Sequence, residues 1–481
     1  MPSHHQGRSA GEGRLLRANR SIAERDVACV IHGFTNLATL EEKPPVVITR
    51  GQGIHVYDEA GKEYIEGAAG MWCASFGFSE RELNPKEAIA QFEKLPYYHS
   101  FVDKTTAPMA LLAETLVAVA PEPLTRVFFT NSGSEANDTL VKIIWYYNNA
   151  RGRPDKKKII SRINGFHGLT VAAASLTGIP LMHAEFDLPI ANILHTDLPH
   201  YPRRARAGET EEAFASRMAD NLEGLILAEG PETVAAFIAE PVMGAGGVIT
   251  PPESYFAKIQ AVLKRHDVLM LVDEVITGFG RTGNMFACET YGITPDAMTV
   301  AKGLASAYQP IAGVLITEEI YDALITQSRK LGFFAHAFTT TGHPVASAVA
   351  LKTLELMAER DMLSHVRRVA RRFQERLASF GDHPLVGEVR GIGLMGALEL
   401  AADKDSMRPF DPSHKVKEHL RLGAQERGLI VRAVSAGESL AFAPPLIITE
   451  DEIDAMFDRF GAALDDTLSW VDREGLREQI G

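Results

Sequence analysis

Val268-Leu-Met-Leu-Val272 runs straight into Asp273, and Ala297-Met-Thr-Val-Ala301 runs straight into Lys302. Each is a short, unbroken apolar stretch closed by a charge. Such stretches are expected of strands covered on both faces, as in the parallel sheet of an α/β protein. In an open sheet of that kind, ligands bind beyond the carboxyl ends of the strands. Asp and Lys are seldom buried unless paired or chemically employed. A lysine placed there can form a Schiff base with a carbonyl compound, and a carboxylate there can hold a protonated ring nitrogen. Pyridoxal phosphate requires both. A structural Asp–Lys ion pair is the competing reading of these two residues alone.

Working outward, further short β-rich runs lie at Arg126–Thr130, Lys158–Arg162, Val234–Glu240 and Ile311–Ile316. Helical patterns separate them, including Asp138–Ala150 and Glu253–His266, with a charged surface helix from Glu209 to Glu229. This alternation predicts βαβ units around a mostly parallel sheet. Upstream, Val46-Val-Ile48 and Ile54-His-Val-Tyr57 read as strand, turn, strand, and residues 104–120 as a helix. After about residue 345 the style changes. The pattern predicts one long helix over Ala346–Arg371, a strand at Leu394–Leu400, a helix near Ser413–Glu426 and a last helix from Glu450. The expected division is a polar, mobile arm over 1–25, an N-terminal part of a small domain over 26–90, a large domain over 91–345 and the rest of the small domain over 346–481.

The bulk properties narrow the function classes. With 481 residues, the chain is long for a single core. It is 46% hydrophobic and 23% charged, with a net charge of −13 and a single lysine run, Lys156-Lys-Lys158. That balance argues against nucleic acid or an anionic membrane as the main partner. Cys29, Cys73 and Cys288 are scattered and odd in number, so neither a disulfide framework nor a metal-ligand spacing is expected, and a reducing, cytoplasmic setting is. No apolar stretch nears the roughly 18 residues of a membrane span. Arg8, Arg14, Arg17 and Arg20 face only Glu12, which would suit a transit peptide. The segment lacks an amphipathic pattern, and a polar tail or an expression scar around His4-His5 fits it better.

Several motifs carry chemistry. Thr130-Asn-Ser-Gly-Ser-Glu-Ala-Asn137 follows a strand and opens a helix, with Ser132 and Glu135 spaced as a capping box. It is either simply a well-capped helix or an anion site, with Gly133 admitting a phosphate and Ser134 donating to it. Phe166-His167-Gly168 follows the next strand; the ring is either core or a lid stacked on a planar cofactor. Gly278-Phe-Gly-Arg-Thr-Gly283 and Gly391-Ile-Gly-Leu-Met-Gly396 both fit G-x-G-x-x-G. Neither lies between a strand and a helix start, so both read as turns rather than as a dinucleotide fingerprint. Arg432, after Leu429-Ile-Val431, is either a surface arginine or a bidentate clamp for a carboxylate.

Taken in order, these segments resemble the class III (ω-amino acid and amine) aminotransferases of fold type I, over roughly residues 32–460. The resemblance rests on Arg50-Gly-Gln-Gly-Ile-His-Val-Tyr-Asp58, Thr130-Asn-Ser-Gly-Ser-Glu-Ala136, Ala239-Glu-Pro-Val-Met-Gly-Ala-Gly-Gly247, Asp273-Glu-Val-Ile-Thr-Gly-Phe-Gly-Arg-Thr-Gly283, Ala301-Lys-Gly303 and Thr341-Gly-His-Pro344. The middle region is especially similar to plant GABA:pyruvate and bacterial ω-amine:pyruvate members. The resemblance implies an α/β fold with a mostly parallel seven-stranded sheet, a smaller α+β domain built from both chain ends, and pyridoxal 5′-phosphate as cofactor. It further implies that Lys302 bonds the cofactor aldehyde and later moves the substrate proton, and that Asp273 keeps the ring nitrogen protonated. Val275 would lie under the ring and Phe166 over it. Gly133 and Ser134 would hold the phosphate, with His167, Glu240 and Phe338 completing the cofactor site. Thr339 would reach the phosphate of a partner subunit, which implies a homodimer with shared sites, or a tetramer built from it. Arg432 would bind a carboxylate and swing aside for an uncharged amine. Phe34, Trp72 and Phe101 would line the substrate pocket together with Phe166.

Some positions depart from the family pattern. Phe166 replaces a frequent tyrosine, and Ile276 a glutamine of ornithine-type members. Ala245 stands where users of 2-oxoglutarate often carry a glutamate that neutralises the arginine, which points to pyruvate as acceptor. Ala337 and Thr340 replace a usual glycine and tyrosine in the phosphate-contacting loop. The expected activity is a ping-pong transfer of an amino group from a primary amine or ω-amino acid to a keto acid. A decarboxylase or aminomutase of the same fold is the alternative. A non-catalytic protein on this fold or a nicotinamide oxidoreductase would need, respectively, the Lys302/Asp273 pair to be idle or a dinucleotide fingerprint to be present.

Overall fold

β-Branched and aliphatic runs too short for helices pair into three sheets in the computed structural model, which describes residues 20–434 and 437–477. The expected mobile arm lies outside the described residues up to 19. From Ile22 the chain is helical, started by a capping box between Ser21 and Glu24.

Strands β1 (Ile48–Gln52), β2 (His55–Asp58) and β3 (Glu63–Glu66) form an antiparallel meander. The central sheet holds β4 (Leu124–Thr130), β5 (Lys158–Arg162), β6 (Ile193–Thr196), β7 (Val234–Ala239), β8 (Leu269–Asp273), β9 (Ala297–Val300) and β10 (Ala312–Thr317), in the order β4-β10-β9-β8-β7-β5-β6. Only β10 runs against its neighbours, β4 and β9; the remaining pairs are parallel. A C-terminal sheet joins β11 (Val386–Ile392), β12 (Met395–Leu400), β14 (Arg432–Ala433) and β15 (Ser439–Phe442). β13 (Leu429–Ile430) instead pairs with β3, so the two ends of the chain meet in one sheet.

The central strands are buried along their length because both faces are covered. Met270 and Val272 belong to the core on one side, with Phe237 and Val300, while Leu271 packs into the other with Ile238 and Leu140. Leu140, Ile143, Ile144 and Tyr147 form the buried stripe of the helix Gly133–Ala150. The stripe faces the sheet, so the amino end of the helix points at the carboxyl ends of the strands.

Two expectations need correction. The sequence suggested six central strands; the seventh, β6, is only four residues long and carries His195 and Thr196, too polar and short to stand out. The helix expected over Ala346–Arg371 is two helices, Pro344–Glu359 and Met362–Ala378, broken at Asp361 with φ +46°. No Gly or Pro marks the break, because aspartate tolerates the left-handed region. Both glycine motifs are turns, as expected: Gly391–Gly396 makes the β11–β12 hairpin, and Gly278–Gly283 is a loop closed by Phe279 N to Met285 O at 2.7 Å.

Candidate active site

Because β4, β5, β7, β8 and β9 point the same way, the segments following them converge on one edge of the sheet. There, Gly133, Ser134, Phe166, His167, Glu240, Asp273, Val275 and Lys302 line a chamber of 450 Å3, a size ordinary for a small-molecule site.

Asp273 closes β8 and is buried. Its Oδ2 accepts from His167 Nδ1 at 2.8 Å and from Asn137 Nδ2 at 2.9 Å, and its Oδ1 from the Val275 amide at 3.0 Å. Burial alone would push this carboxyl up. The hydrogen bonds and the His167 charge outweigh burial and hold it below the usual carboxylate range. Glu240, also buried, spends both oxygens on backbone amides, Phe166 N and Gly244 N, each at 2.9 Å. Burial and the nearby Asp273 push its carboxyl up.

Lys302 begins a tight turn at φ +46°, and Ser306 and Ala307 follow at +50° and +59°. Such a run of left-handed residues is strained, and strain of this kind gathers at functional sites. The amine's residual exposure is to the chamber, and burial pulls its pKa down despite the opposing charges of Cys73, Asp273 and Glu240.

Across the chamber, the helix Gly133–Ala150 is capped by Ser132, whose Oγ accepts from Glu135 N at 3.2 Å. The reciprocal half of the expected capping box is shifted: the Glu135 carboxylate takes the amide and Nδ2 of Asn131, at 2.7 and 2.9 Å. The amides of Gly133 and Ser134 precede the helix's first internal bond, Ala136 N to Ser132 O. They form a concave anion site at the positive end of the dipole. The space is glycine-dependent. A Cβ on Gly133 would come within 3.2 Å of Val275, and one on Gly168, at φ +127°, within 2.5 Å of Ser134 Oγ.

A charge-holding carboxylate, a partly neutral amine and an anion cradle therefore surround one chamber, with Phe166 and Val275 in its walls. This donor set fits pyridoxal phosphate, whose ring nitrogen, aldehyde and phosphate need those three partners.

The expected substrate residues are not all in the same chamber. Arg432 and Phe34 line a neighbouring cavity of 800 Å3 that shares Phe166 and includes Ala245, Lys415 and Lys417. Arg432 Nη1 lies 2.5 Å from Met71 Sδ, and the guanidinium stands 5.7 Å from the Trp72 ring and 5.9 Å from the Phe34 ring. Trp72 is buried at φ +59° against Val242 and Ile276, and its Nε1 has no partner among the described residues. Its chain neighbours Met71 and Cys73, not Trp72 itself, line the Lys302 chamber. Phe101, Phe338 and Thr339 line neither cavity; Phe101 and Phe338 are half-buried and Thr339 is exposed.

The sequence reading missed Asn137, Asn131 and Glu66. Asn137 was detectable as a polar residue on the apolar stripe of its helix, between Ala136 and Leu140. Glu66 is buried, accepts from Ala68 N at 3.0 Å and is pushed up to about 7 by burial, against the pull of the Ala68 and Gly70 amides and the Arg432 charge. Nothing in its local pattern distinguishes it from a strand-end surface glutamate.

Comparison with known proteins agrees with this geometry. The family model for class III aminotransferases matches residues 37–464. A tomato protein named gamma aminobutyrate transaminase 3, chloroplastic, is 49% identical over 437 residues, covering 91% of this chain and 84% of the relative. A rice protein named gamma-aminobutyrate transaminase 1, mitochondrial, is 51% identical over 421 residues, covering 87% and 81%. Among solved structures, the omega transaminase of Pseudomonas jessenii in complex with PMP aligns with a TM-score of 0.92 at 51% identity, over 94% of this chain and 99% of that one. A thermostable omega transaminase variant engineered for asymmetric synthesis of enantiopure bulky amines aligns equally well, with a TM-score of 0.92 at 51% identity, over 94% and 100%. On the strength of the family match, these relatives and the convergence of amine, carboxylate and anion cradle, the chain belongs to the class III aminotransferases and is a pyridoxal-phosphate-dependent transaminase.

Proposed function

We propose that this transaminase takes an amino group from an ω-amino acid or primary amine and delivers it to pyruvate in two half-reactions sharing one pocket. The observation that carries the reading is the shared chamber of Lys302, Asp273 and the Gly133–Ser134 amides. When bound, the cofactor supplies an electrophilic aldehyde and a ring that draws electrons from the reacting carbon. Lys302, partly neutral through burial, is the nucleophile that holds the cofactor and the base that moves the proton at the substrate carbon. Asp273, kept ionised by His167 and Asn137, holds the proton on the ring nitrogen. Gly133 and Ser134 bind the phosphate, Phe166 and Val275 enclose the ring, and Glu240 fixes Phe166 through its amide. His167 acts through Asp273.

Arg432 is the carboxylate receptor of the second cavity, for the far end of an ω-amino acid and for the keto acid. Its neighbour in that cavity is Ala245, and a carboxylate there would compete for the guanidinium. This supports pyruvate over 2-oxoglutarate as acceptor. Phe34 and Trp72 flank the guanidinium and give a carboxylate-free amine an apolar surface when Arg432 moves away.

The working unit in this reading is a homodimer in which Phe338 and Thr339, and Phe101, serve the partner's pocket. Their absence from the chamber of their own subunit supports this, as do the large side chains of Val102, Phe186 and Phe333, exposed at 86%, 72% and 68%. Among the described residues no helix is long and apolar enough to cross a membrane. The three cysteines are unpaired, which suits a reducing compartment such as the cytoplasm, while the tomato and rice relatives are organellar by name. Those relatives are transaminases rather than the decarboxylases or aminomutases of the alternative reading.

A panel of GABA, β-alanine, a diamine and a benzylic amine, each with pyruvate or 2-oxoglutarate, tests the substrate assignment. Pyruvate is expected to be the faster acceptor throughout; equal rates with 2-oxoglutarate would reject it. Borohydride treatment of the yellow holoenzyme should fix the cofactor on Lys302, and a label on any other residue would reject the site.

A further inference from the structure

The segment that carries Thr339 is pinned on both sides to its own subunit. On one side His336 is held by the helix Gly133–Ala150: its Nε2 lies 2.9 Å from Thr139 Oγ1 and its Nδ1 2.8 Å from Lys142 Nζ. An ammonium can only donate, so Nδ1 accepts, and the ring is neutral with its proton on Nε2. Burial and the Lys142 charge push its pKa down to about 4, consistent with that state. Phe128 stacks on the same ring at 5.3 Å. On the other side, Thr340 Oγ1 donates to Asn131 Oδ1 at 2.7 Å. Between the pins, the Thr339 carbonyl accepts from Tyr97 OH at 2.8 Å, and Phe338 N donates to Thr341 Oγ1 at 3.0 Å.

Asn131 is not a neutral anchor. It lines the chamber beside Ser132, Gly133 and Ser134. Its amide N and Nδ2 both go to one Glu135 oxygen, which fixes the side chain so that Oδ1 faces outward to Thr340. An anion that orders the Gly133 and Ser134 amides therefore orders Asn131, and through it Thr340 and the neighbouring Thr339.

We propose that Thr340 is a positioning residue that couples cofactor binding at the two sites of the dimer, because its bond to Asn131 sets the partner's phosphate donor, Thr339, by the state of its own subunit's phosphate cradle. This rests on the reading above that Thr339 serves the partner subunit. In a two-fold dimer each loop is then tied to one cradle and reaches into the other. Filling the first cradle orders a donor for the second, and the second cofactor binds tighter, since the ordering has already been done. One hydrogen bond of this kind corresponds to a roughly two- to tenfold gain in affinity for the second cofactor.

The test is a titration of the cofactor-free full-length dimer with pyridoxal phosphate, followed by cofactor absorbance and tryptophan quenching, for the wild type, Thr340→Val, Thr340→Ser and Thr339→Ala. The expected result is a sigmoidal isotherm for the wild type and for Thr340→Ser, and a hyperbolic one for Thr340→Val with the dimer mass unchanged. A hyperbolic wild-type isotherm, or a sigmoidal Thr340→Val isotherm, overturns the coupling. Thr339→Ala separates the two ideas. If it leaves cofactor affinity unchanged, the shared-site reading fails; if it weakens affinity while Thr340→Val matches the wild type, only the coupling fails. Thr340→Ser keeps the hydroxyl, so a loss of cooperativity there also counts against the proposal.

Discussion

Asp273 shows how much of the chemistry rests on single contacts. Two side chains and one amide counter the burial that would neutralise it. Asp273→Asn keeps the shape and removes the charge, and it is expected to cost on the order of 100- to 1,000-fold in turnover, read from single-turnover absorbance. The same carboxyl contributes to acid stability. Its folded pKa lies below the unfolded value near 3.8, so its contribution is complete above that value and is lost as the pH falls through the folded pKa. Urea midpoints should accordingly fall less steeply below pH 4 in Asp273→Asn than in the wild type. Arg432 makes a sharper distinction between substrates. Arg432→Ala should weaken pyruvate and ω-amino acid use by roughly 2–5 kcal/mol of binding and leave a carboxylate-free amine nearly untouched, as shown by KM values for each. Equal losses would mean that the arginine only holds Met71 and the rings in place.

At the level of elements, periodicity located most of what matters. The runs ending at Asp273 and before Lys302 are strands β8 and β9, adjacent and parallel, with Asp273 in register with Thr299. The break between Pro344–Glu359 and Met362–Ala378 escaped notice because both helices continue one apolar period across the polar Glu359-Arg-Asp361. That break gives a direct stability test. Asp361 at φ +46° should tolerate glycine, with a gain of up to about 1 kcal/mol, whereas Asp361→Val should lose about 1–2 kcal/mol by chemical denaturation. The spread of effects, rather than either value alone, would show that the turn is left-handed.

Across the whole molecule, a buried ionic cluster joins the C-terminal sheet to the loop beside the site. Arg390, on β11, donates to Glu399 at 2.9 Å, to Ser439 Oγ at 3.0 Å and to the Gly247 carbonyl at 2.7 Å. Arg203 and His200 reach the same carboxylates, Glu399 and Glu388, from the chain after β6. His200, Glu388 and Glu399 are close enough to suggest a cation site, but the guanidinium groups already supply the positive charge. Arg390→Ala leaves those carboxylates short of a partner and should destabilise the protein by about 3–5 kcal/mol in a denaturant titration. If the cluster also holds the Gly247 loop in place, the same variant should show a weakened acceptor KM.

The sequence by itself determined the architecture and the reacting pair. Doubly covered strands must be apolar throughout, and a lone charge at the end of such a strand has few reasons to be there other than chemistry. The helix-opening Ser132-Gly-Ser134 was equally readable, because phosphate binding at a helix start depends on backbone and local spacing. Only the tertiary structure decided that Asn137 braces Asp273, that Arg432 rests on Met71 in a separate cavity, and that Thr340 grips Asn131 from 209 residues away. Those contacts join segments far apart in the chain, and no local period or spacing encodes which distant side chains folding will bring within hydrogen-bond reach.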